Sequence, residues 1–502
     1  MSLTKPIDLL HSVYDEEFGL RFTNFSIKPV HVANGLARAL TERSYDTDAL
    51  SHTLRRWVKN QKLGVDEERH PNSQILTDYG AAFEPLKGSK PDIQRLNRLR
   101  ALSNDVLGAD GAVFAAGDQS SFTLSNERFI TRDLSDVRAG LFLARLLRAE
   151  PENRQDAADL FTELLTTETD AWTTLALPLL SLGAMREESL DGEAGERAAK
   201  ADHLFTPDSD RLASPTLATV RDAFDRLARF ERLGGSKLNS MRRIVLFGCF
   251  AIQVHAISRW HERNGASPRP PILLDMFDGT VKSVRDASRA TLRAGGDAVE
   301  GLVLERVGEF VANDVGTTKA KITKALAAET VDDALRTDFD NLVAGGRTPE
   351  DALSQALVDA ALHKAREHPL GSLVELGRRA GFLTPWGNSG RGGKLQKRYT
   401  ATAEFLETLI AATIEPDSPV EFPEFLDRLR EDFGIVVGRA QDDRVIRENN
   451  LHGTQFGPPT AINEEDLRRN VNELRKLVVE TGYGKSYADG RTVVTTAPEG
   501  DL

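Results

Sequence analysis

The residues with the clearest chemical potential in this chain are cations that recur at helical spacing near residue 470. Five polar side chains share one side of a helical wheel, namely Arg468, Arg469, Asn472, Arg475 and Lys476. Side chains of this kind can neutralise phosphates or hydrogen-bond to base edges in a DNA groove. Two further cations, Lys485 and Arg491, follow shortly afterwards. The pattern indicates nucleic-acid contact, and a simply solvated helix face is the alternative.

A helix followed by a hairpin must position these side chains. The opposite side of the helical wheel is apolar and consists of Leu467, Val471, Leu474, Leu477 and Val478. Asn463 can cap the start of the helix, where residues 464–466 are acidic and suit the helix dipole. Gly482 can end it. Asp489 and Gly490 then separate two β-prone runs, 485–487 and 491–494, which predicts a tight hairpin.

Two more helices precede this unit. Apolar periodicity predicts one helix over 402–414 and another over 422–433, with a short strand at 420–422 and a stop at Gly434. This order resembles a winged helix-turn-helix, in which the third helix enters the major groove and the hairpin lies along the DNA backbone. Such modules also bind proteins, so both uses stay open. The segment 438–462 is longer than the tight turn usual between the second and third helices.

A second, weaker module is predicted at the other end of the chain, within residues 1–90. Helices are expected over 30–40 and 49–62, and the second carries Arg55, Arg56 and Lys59 on its outer side. Residues 63–77 could form a wing. We therefore add these three cations to the candidate nucleic-acid-binding residues, with a three-helix cap as the alternative interpretation.

Length and composition further limit the class of protein, its number of domains and its compartment. At 502 residues, 40% hydrophobic and 28% charged, the chain fits a soluble protein of two to four domains. A net charge of −12 argues against a wholly basic nucleic-acid coat. A single cysteine, Cys249, and the absence of a signal-like start predict a cytoplasmic protein. The apolar run 244–257 is too short to span a membrane and predicts a buried core helix.

The fold class is expected to be mainly α. We predict an N-terminal domain over 1–90, a helical domain over 91–398 and a C-terminal winged-helix-like domain over 399–502. Within the central domain, residues 221–293 hold twelve Arg and two Lys against seven acids, a local charge of +7. That imbalance suggests a polyanion-facing surface or ordinary decoration of helix exteriors. A glycine-rich linker is predicted over 381–394.

Motifs for catalysis or metal binding are weak. Residues 387–394 superficially resemble a phosphate-binding loop, but the spacing and the preceding strand are wrong. No histidine or cysteine pair has zinc-site spacing. Asp275 and Asp278 are candidate metal-binding carboxylates, although a turn-and-cap role explains them better. We expect no cofactor, no metal and no catalytic residue, which makes an enzyme the less favoured class.

Four segments together carry a family resemblance: residues 377–383, residues 433–438, the helix containing Asn470 and Leu474, and the Asp489-Gly490 turn. They resemble the C-terminal parts of large, mostly helical accessory proteins from bacterial anti-phage defence clusters. The resemblance covers about a quarter of the chain. It implies a role in a restriction-like or methylation-associated antiviral system, and it implies no catalytic residue.

Three hypotheses follow. The first is a non-enzymatic DNA-binding or scaffolding component of an antiviral system, with DNA and other proteins of the same cluster as partners and no membrane. The second is a transcription regulator that binds through the C-terminal module. The third is a metal-dependent nuclease that uses Asp275 and Asp278.

Overall fold

A computed structural model provides the three-dimensional structure of the chain. It describes residues 5–22, 28–41, 96–101, 139–149, 155–167, 214–265, 270–328, 331–365, 369–384, 396–439, 441–442 and 463–496. Helices account for most of these residues, and the strands are only two or three residues long. The predicted mainly α fold class is therefore confirmed.

The chain divides into two compact units. The first comprises Met1–Ile27, Asp208–Phe230 and Leu246–Leu502, and the second comprises Lys28–Pro207 and Glu231–Val245. The predicted division into three domains remains a prediction, and the predicted linker over 381–394 lies largely outside the described residues. Strand pairing inside the first unit nevertheless joins the predicted central and C-terminal domains, as described below.

In the second unit, helix α2 (Pro29–Leu40) packs closely against α3 (Ala139–Leu147). A Cβ atom added to Gly140 would lie only 2.3 Å from the backbone nitrogen of Leu36, so the two helix backbones need glycine there to approach. Helix α4 (Asp156–Thr166) packs on α2 through its apolar face. The apolar periodicity predicted α2, but the contact at Gly140 depends on a neighbour that is distant in sequence.

The first unit contains α1 and most of the later helices. Their bounds are Pro6–Glu17 (α1), Pro215–Arg232 (α5), Lys237–Arg263 (α6), Lys282–Phe310 (α7), Lys319–Leu326 (α8), Asp333–Ala344 (α9), Pro349–Ala365 (α10), Pro369–Ala380 (α11), Ala403–Thr413 (α12), Phe422–Phe433 (α13) and Glu464–Glu480 (α14). Helices α5 and α6 contribute residues to both units. A π-helical turn, Val311–Val315, directly follows α7. Helices α1, α7 and α10 pack on one another.

Short strands connect these helices in three small sheets. Strand β1 (Ile272–Leu273) pairs in parallel with β5 (Ile435–Val436). Strands β2 (Leu383–Thr384) and β3 (Arg398–Tyr399) are antiparallel. The third sheet has the order β4-β7-β6, and its strands are Val420–Glu421 (β4), Gly484–Ser486 (β6) and Thr492–Val494 (β7). Since β1 precedes β5 by more than 150 residues, this pairing fixes the last part of the chain to its middle.

Aromatic side chains form the centre of the first unit. The ring of Phe250 on α6 lies 5.2–5.7 Å from the rings of Phe382, Phe405 and Phe433, with interplanar angles of 67–75°. Edge-to-face pairs in this distance range add stability beyond the buried area alone. Helix α6 is thus the central element around which α12 and α13 are packed.

The apolar run 244–257 lies within α6, and all its residues are buried, which confirms the predicted core helix. By length and composition, α6 is the one helix in the described part of the chain that could cross a membrane. Of its most apolar 18-residue window, 89% is buried inside the protein, which is also what the core helix of a soluble protein shows.

The basic segment 221–293 is largely engaged in internal ion pairs. In the first unit Arg226 pairs with Asp432 at 2.9 Å and Arg229 pairs with Glu415 at 2.8 Å. Arg263 likewise pairs with Glu17 at 3.0 Å. Each of these acids is distant in sequence, so the local excess of positive charge serves to join elements. The interpretation of this segment as a free polyanion-binding surface is therefore not supported at these arginines.

Candidate nucleic-acid interface

Helix α14 begins and ends at the residues that the sequence predicts. The Asn463 side chain accepts a hydrogen bond at 3.0 Å from the Glu465 amide, and Gly482 follows the helix with a φ of 83°. The preceding helix α13 ends at Gly434, which is left-handed with a φ of 72°. Glycine adopts this conformation without the steric cost of a Cβ atom. Local sequence signals therefore determine where α14 begins and where α13 and α14 end.

The buried side of α14 differs from the predicted apolar stripe at one important position. Leu467, Leu474 and Val478 are buried as expected, whereas Val471 and Leu477 are only partly buried. Asn470 is fully buried among them. The sequence did contain a signal for this position, because residue 470 lies three residues after one buried leucine and four before the next.

Asn470 fixes α14 to the parallel strand pair. Its Nδ2 atom donates to the carbonyl oxygens of Leu274 at 2.7 Å and Val437 at 2.9 Å, and its Oδ1 atom accepts from the Met276 amide at 2.9 Å. One side chain thus satisfies backbone groups beyond the ends of both β1 and β5. Buried polar groups are costly unless they are paired, so this residue determines how α14 is seated.

The outer face of α14 is accessible, as the candidate interface requires. The side chains of Arg468, Arg469 and Lys476 are 73%, 56% and 65% exposed, respectively. Asn472 is also exposed, and Arg475 is partly exposed and donates to Asn472 Oδ1 at 2.9 Å. All five predicted residues therefore lie on the solvent side of one helix. Their proposed role in binding stays a prediction.

Most of these cations are already paired with acids of the same helix. Arg468 bonds to Glu465, Arg469 lies 3.6 Å from Asp466, and Lys476 lies 3.8 Å from Glu480. With four basic and five acidic residues, α14 has a net charge of −1. Exposed pairs of this kind contribute about 0–1 kcal/mol each, so a phosphate can displace the acid at little cost.

The position of Arg469 is further fixed by the loop that follows β1. Its guanidinium lies 5.4 Å from the centre of the Phe277 ring, which packs at the edge of a buried cluster around Leu273. The neighbouring Asp466 accepts a hydrogen bond from Ser283 at the start of α7. The loop thereby orients the first turns of α14 relative to the rest of the unit.

The predicted hairpin is present, with its turn at Asp489 and Gly490. Ser486 pairs with Thr492 and Lys485 with Val493, and Gly490 in the turn has a φ of 84°. Lys485 lies 5.9 Å from the ring of Tyr487, an exposed aromatic residue. Both candidate cations of the hairpin are therefore accessible.

Arg491 has its own partners within the module. Its amide and its Nε atom both donate to the Asp489 carboxylate, at 3.0 and 2.6 Å. These hydrogen bonds lower the pKa of Asp489, and they raise the pKa of Arg491. Glu421 on β4 lies 3.6 Å from the Arg491 guanidinium.

The three N-terminal candidates, Arg55, Arg56 and Lys59, lie outside the described residues.

The two candidate nuclease carboxylates share one arginine. Asp275 is fully buried and accepts a hydrogen bond from Arg398 Nε at 2.7 Å, while Asp278 is 90% exposed and lies 3.0 Å from the same guanidinium. Asp275 Oδ1 also accepts from the Phe277 amide at 2.9 Å. Asp278 has a φ of 50° and Gly279 a φ of 77°, as in a tight turn. This geometry is that of a buried ion pair supporting a turn.

In the part of the chain that the structure describes, no group of three or more His, Cys, Asp or Glu side chains is arranged to hold a metal ion. The buried His255 donates from Nε2 to the carbonyl oxygen of Phe18 at 3.1 Å. Burial, together with the charge of Arg259, lowers its pKa to about 4. His255 is consequently neutral at physiological pH and serves the packing of α1 on α6.

A concave site that the sequence did not indicate lies among α1, α7 and α10. The cavity has a volume of about 370 Å³, and its lining includes Tyr14, Asp297, Glu300, Gln355 and Asp359. Burial and the negative charges of Asp297 and Asp359 raise the pKa of Glu300 to about 7. The three acids come from two helices, so helical periodicity alone could not show that they meet.

Removing the Glu300 charge should stabilise the protein in a pH-dependent way. The folded-state pKa lies above the ordinary value of 4.5, so the folded protein binds the proton more tightly than the unfolded chain. Stability therefore falls as pH rises from about 4.5 to about 7 and stays reduced above that range. Allowing for solvent screening at this partly exposed group, we expect Glu300→Gln to add about 1–2 kcal/mol at pH 8.

Urea unfolding of the Glu300→Gln variant at pH 8 and pH 5 measures this effect. The gain should be largely absent at pH 5, where the wild-type carboxyl is mostly protonated in the folded state. Asp338→Asn, at an exposed position on α9, is the control and should leave the pH dependence unchanged. An equal gain at both pH values would show that the charge of Glu300 is not its cause.

Comparison with protein-family models, with curated proteins and with solved structures finds no match for this chain.

Proposed function

We propose that this protein is a non-enzymatic, cytoplasmic DNA-binding component of a multi-protein bacterial antiviral system, and that its C-terminal module is winged-helix-like. The observation that carries the proposal is the arrangement of residues 403–496. The elements follow in the order α12, β4, α13, β5, α14, β6 and β7. Apart from β5, which pairs with β1, this order supports a winged-helix-like module. Strand β4 pairs with β7, with Val420 opposite Val494, which makes the small sheet beside the helices three-stranded.

The accessible cations of this module supply the chemistry for DNA contact. Arg468, Arg469, Arg475 and Lys476 lie on the outer face of α14, and Lys485 lies on the hairpin. Their guanidinium and ammonium groups suit phosphate oxygens, which accept about half to two-thirds of protein–DNA hydrogen bonds. Opening the weak ion pairs within α14 costs little compared with the release of counterions from DNA.

The first turn of α14 indicates that binding depends little on base sequence. In helix-turn-helix proteins the N-terminal residues of the recognition helix contact base edges. Here those positions are Glu464, Glu465 and Asp466. Carboxylates can accept from the cytosine amino group but are repelled by phosphates. We therefore propose contact mainly with the DNA backbone, through the cations further along the helix.

The antiviral role is supported by the family resemblance of residues 377–383, 433–438 and the α14–hairpin segment. The same resemblance implies that other proteins of the same gene cluster are partners.

The long segment between α13 and α14 departs from the usual winged-helix plan. Its first residues are held by Asp442, whose Oδ2 atom accepts from the amides of Gly438 at 3.1 Å and Arg439 at 2.9 Å.

A double charge reversal tests the DNA-binding part directly. Arg468→Glu with Arg475→Glu should weaken duplex-DNA binding by about tenfold or more at low salt, and should reduce the salt slope by about two units. Both sites are at least partly exposed, so the free energy of unfolding should change by no more than about 0.5 kcal/mol per substitution. The measurements are DNA affinity at two salt concentrations and the melting temperature.

The matched control is Lys5→Glu with Arg347→Glu, which makes the same change in net charge at exposed sites elsewhere in the first unit. This control should retain most of the affinity. The same two variants, placed in a strain lacking the gene, report on the antiviral role: the control should restore phage resistance and the α14 variant should not. Unchanged DNA affinity in a folded α14 variant would assign the module to protein binding, and full phage resistance of the deletion strain would exclude the antiviral role.

A further inference from the structure

Helix α8 (Lys319–Leu326) carries a concentration of positive charge that is inconspicuous in a chain with a net charge of −12. Its eight residues include Lys319, Lys321 and Lys324 and no acid. Ile322 and Leu326 are buried and attach the helix to its neighbours, while all three lysines are exposed. Lys321 and Lys324 are three residues apart, so they lie beside each other on the face turned away from the buried residues.

These lysines differ from the cations of α14 in one physical respect. Within the residues that the structure describes, Lys319, Lys321 and Lys324 form no ion pair, whereas Arg468, Arg469 and Lys476 each pair with an acid of their own helix. The net charge of α8 is +3, against −1 for α14. A polyanion that approaches α8 therefore displaces no carboxylate from these three side chains.

The backbone around α8 holds the patch in place. The π-helical turn after α7 ends at Gly316, which has a φ of 107°. A Cβ atom at Gly316 would come within 2.7 Å of Lys321 Cδ, so glycine allows the lysine stem to lie across the turn. π-Helical turns often occur at functional sites. Thr317 and Thr318, both exposed, add two hydroxyl groups beside the lysines.

The two acids at the start of the following helix, Asp332 and Asp333, already have partners. Asp332 caps α9 by accepting from the Ala334 amide at 3.0 Å, and Asp333 pairs with Arg336 at 2.6 Å. Asp314, in the π-helical turn, is exposed. Asp332 and Asp333 thus have local partners, while the ammonium groups of α8 have no ion-pair partner among the described residues.

We propose that α8 is a second contact surface for the nucleic-acid backbone, separate from the C-terminal module. Lysine binds phosphate as a compact point charge, and Thr hydroxyls also donate to phosphate oxygens. At a helical rise of about 1.5 Å per residue, Lys321 and Lys324 are about 4.5 Å apart along the helix axis, which is close to the rise of about 3.4 Å between successive phosphates of one DNA strand. This inference rests on the proposed DNA-binding function and assigns part of it to a different element.

The test uses the full-length protein and a duplex DNA of about 30 base pairs. Lys321→Glu with Lys324→Glu should raise the Kd about tenfold at low salt and reduce the salt slope by about two units. Lys321→Arg with Lys324→Arg keeps both charges and should retain wild-type affinity. Because these side chains are exposed, the melting temperature of both variants should stay close to that of the wild type.

The C-terminal reversal Arg468→Glu with Arg475→Glu, which changes the net charge equally, separates the two assignments. If the C-terminal variant loses affinity and the α8 reversal does not, the inference about α8 is wrong while the proposed function stands. If only the α8 reversal loses affinity, α8 is the contact surface and the C-terminal module has another role. If the wild-type protein does not bind duplex DNA at low salt, both are wrong, and an acidic protein becomes the partner to seek for α8.

Discussion

Replacing Asp275 by alanine should destabilise the first unit by about 3–5 kcal/mol, the range typical of breaking a buried ion pair. The Asp275 carboxylate is fully buried and accepts from Arg398 Nε at 2.7 Å and from the Phe277 amide at 2.9 Å. Its removal leaves the guanidinium of Arg398, itself buried, without its main counter-charge. Urea unfolding at neutral pH measures the loss.

Asp278→Asn is the matched control because it changes the second carboxylate that faces Arg398. Asp278 is 90% exposed, and its pair with Arg398 is screened by water on one side. Asparagine tolerates the left-handed conformation that residue 278 adopts. We expect a change within about 0.5–1 kcal/mol. If both substitutions had equal effects, the burial of Asp275 would not be the reason for its importance.

This contrast also determines how the nuclease hypothesis should be tested. A loss of cleavage in an Asp275→Ala variant would follow from unfolding alone, so that substitution cannot identify a catalytic carboxylate. Asp278→Asn removes a charge from the same turn and preserves the fold. A metal-dependent activity that survived Asp278→Asn would give no support to a two-carboxylate site formed by Asp275 and Asp278.

The sequence predicts those features of the fold that depend on neighbouring residues. Asn463 and Gly434 mark helix ends because capping and left-handed backbone are properties of one or two residues. Asp489 and Gly490 predict the hairpin for the same reason. The outer face of α14 follows from helical periodicity, so the exposure of Arg468 and Lys476 is also predictable.

Features that depend on distant partners are not predictable in this way. The parallel pairing of Ile272 with Ile435 joins two strands of only two residues each, which are too short to show a periodic pattern. The charge of segment 221–293 suggests a binding surface until Glu415 and Asp432 are found beside its arginines. Charge composition alone does not distinguish a free cation from one paired across the fold.

The same limitation explains why α8 is less conspicuous in the sequence than α14. Its three lysines are few, and the chain as a whole carries a charge of −12. What distinguishes Lys321 and Lys324 is that no described carboxylate lies within ion-pair distance, which only the three-dimensional arrangement shows. For α14 the reverse holds, since Glu465 and Glu480 are spaced three and four residues from the cations they neutralise.

Replacing Asn470 by alanine should cost about 2–4 kcal/mol, because three backbone groups, two of them at buried residues and one partly buried, lose their partner. These are the carbonyl oxygens of Leu274 and Val437 and the amide of Met276, all within 2.9 Å of the Asn470 side chain. Asn470→Leu fills the volume but leaves the same groups unpaired, so it should be nearly as destabilising. Asn472→Ala, two residues away on the exposed face, is the control and should stay within about 0.5 kcal/mol. Urea unfolding of the three variants distinguishes hydrogen bonding from packing: a leucine variant as stable as the wild type would show that residue 470 acts only by filling space.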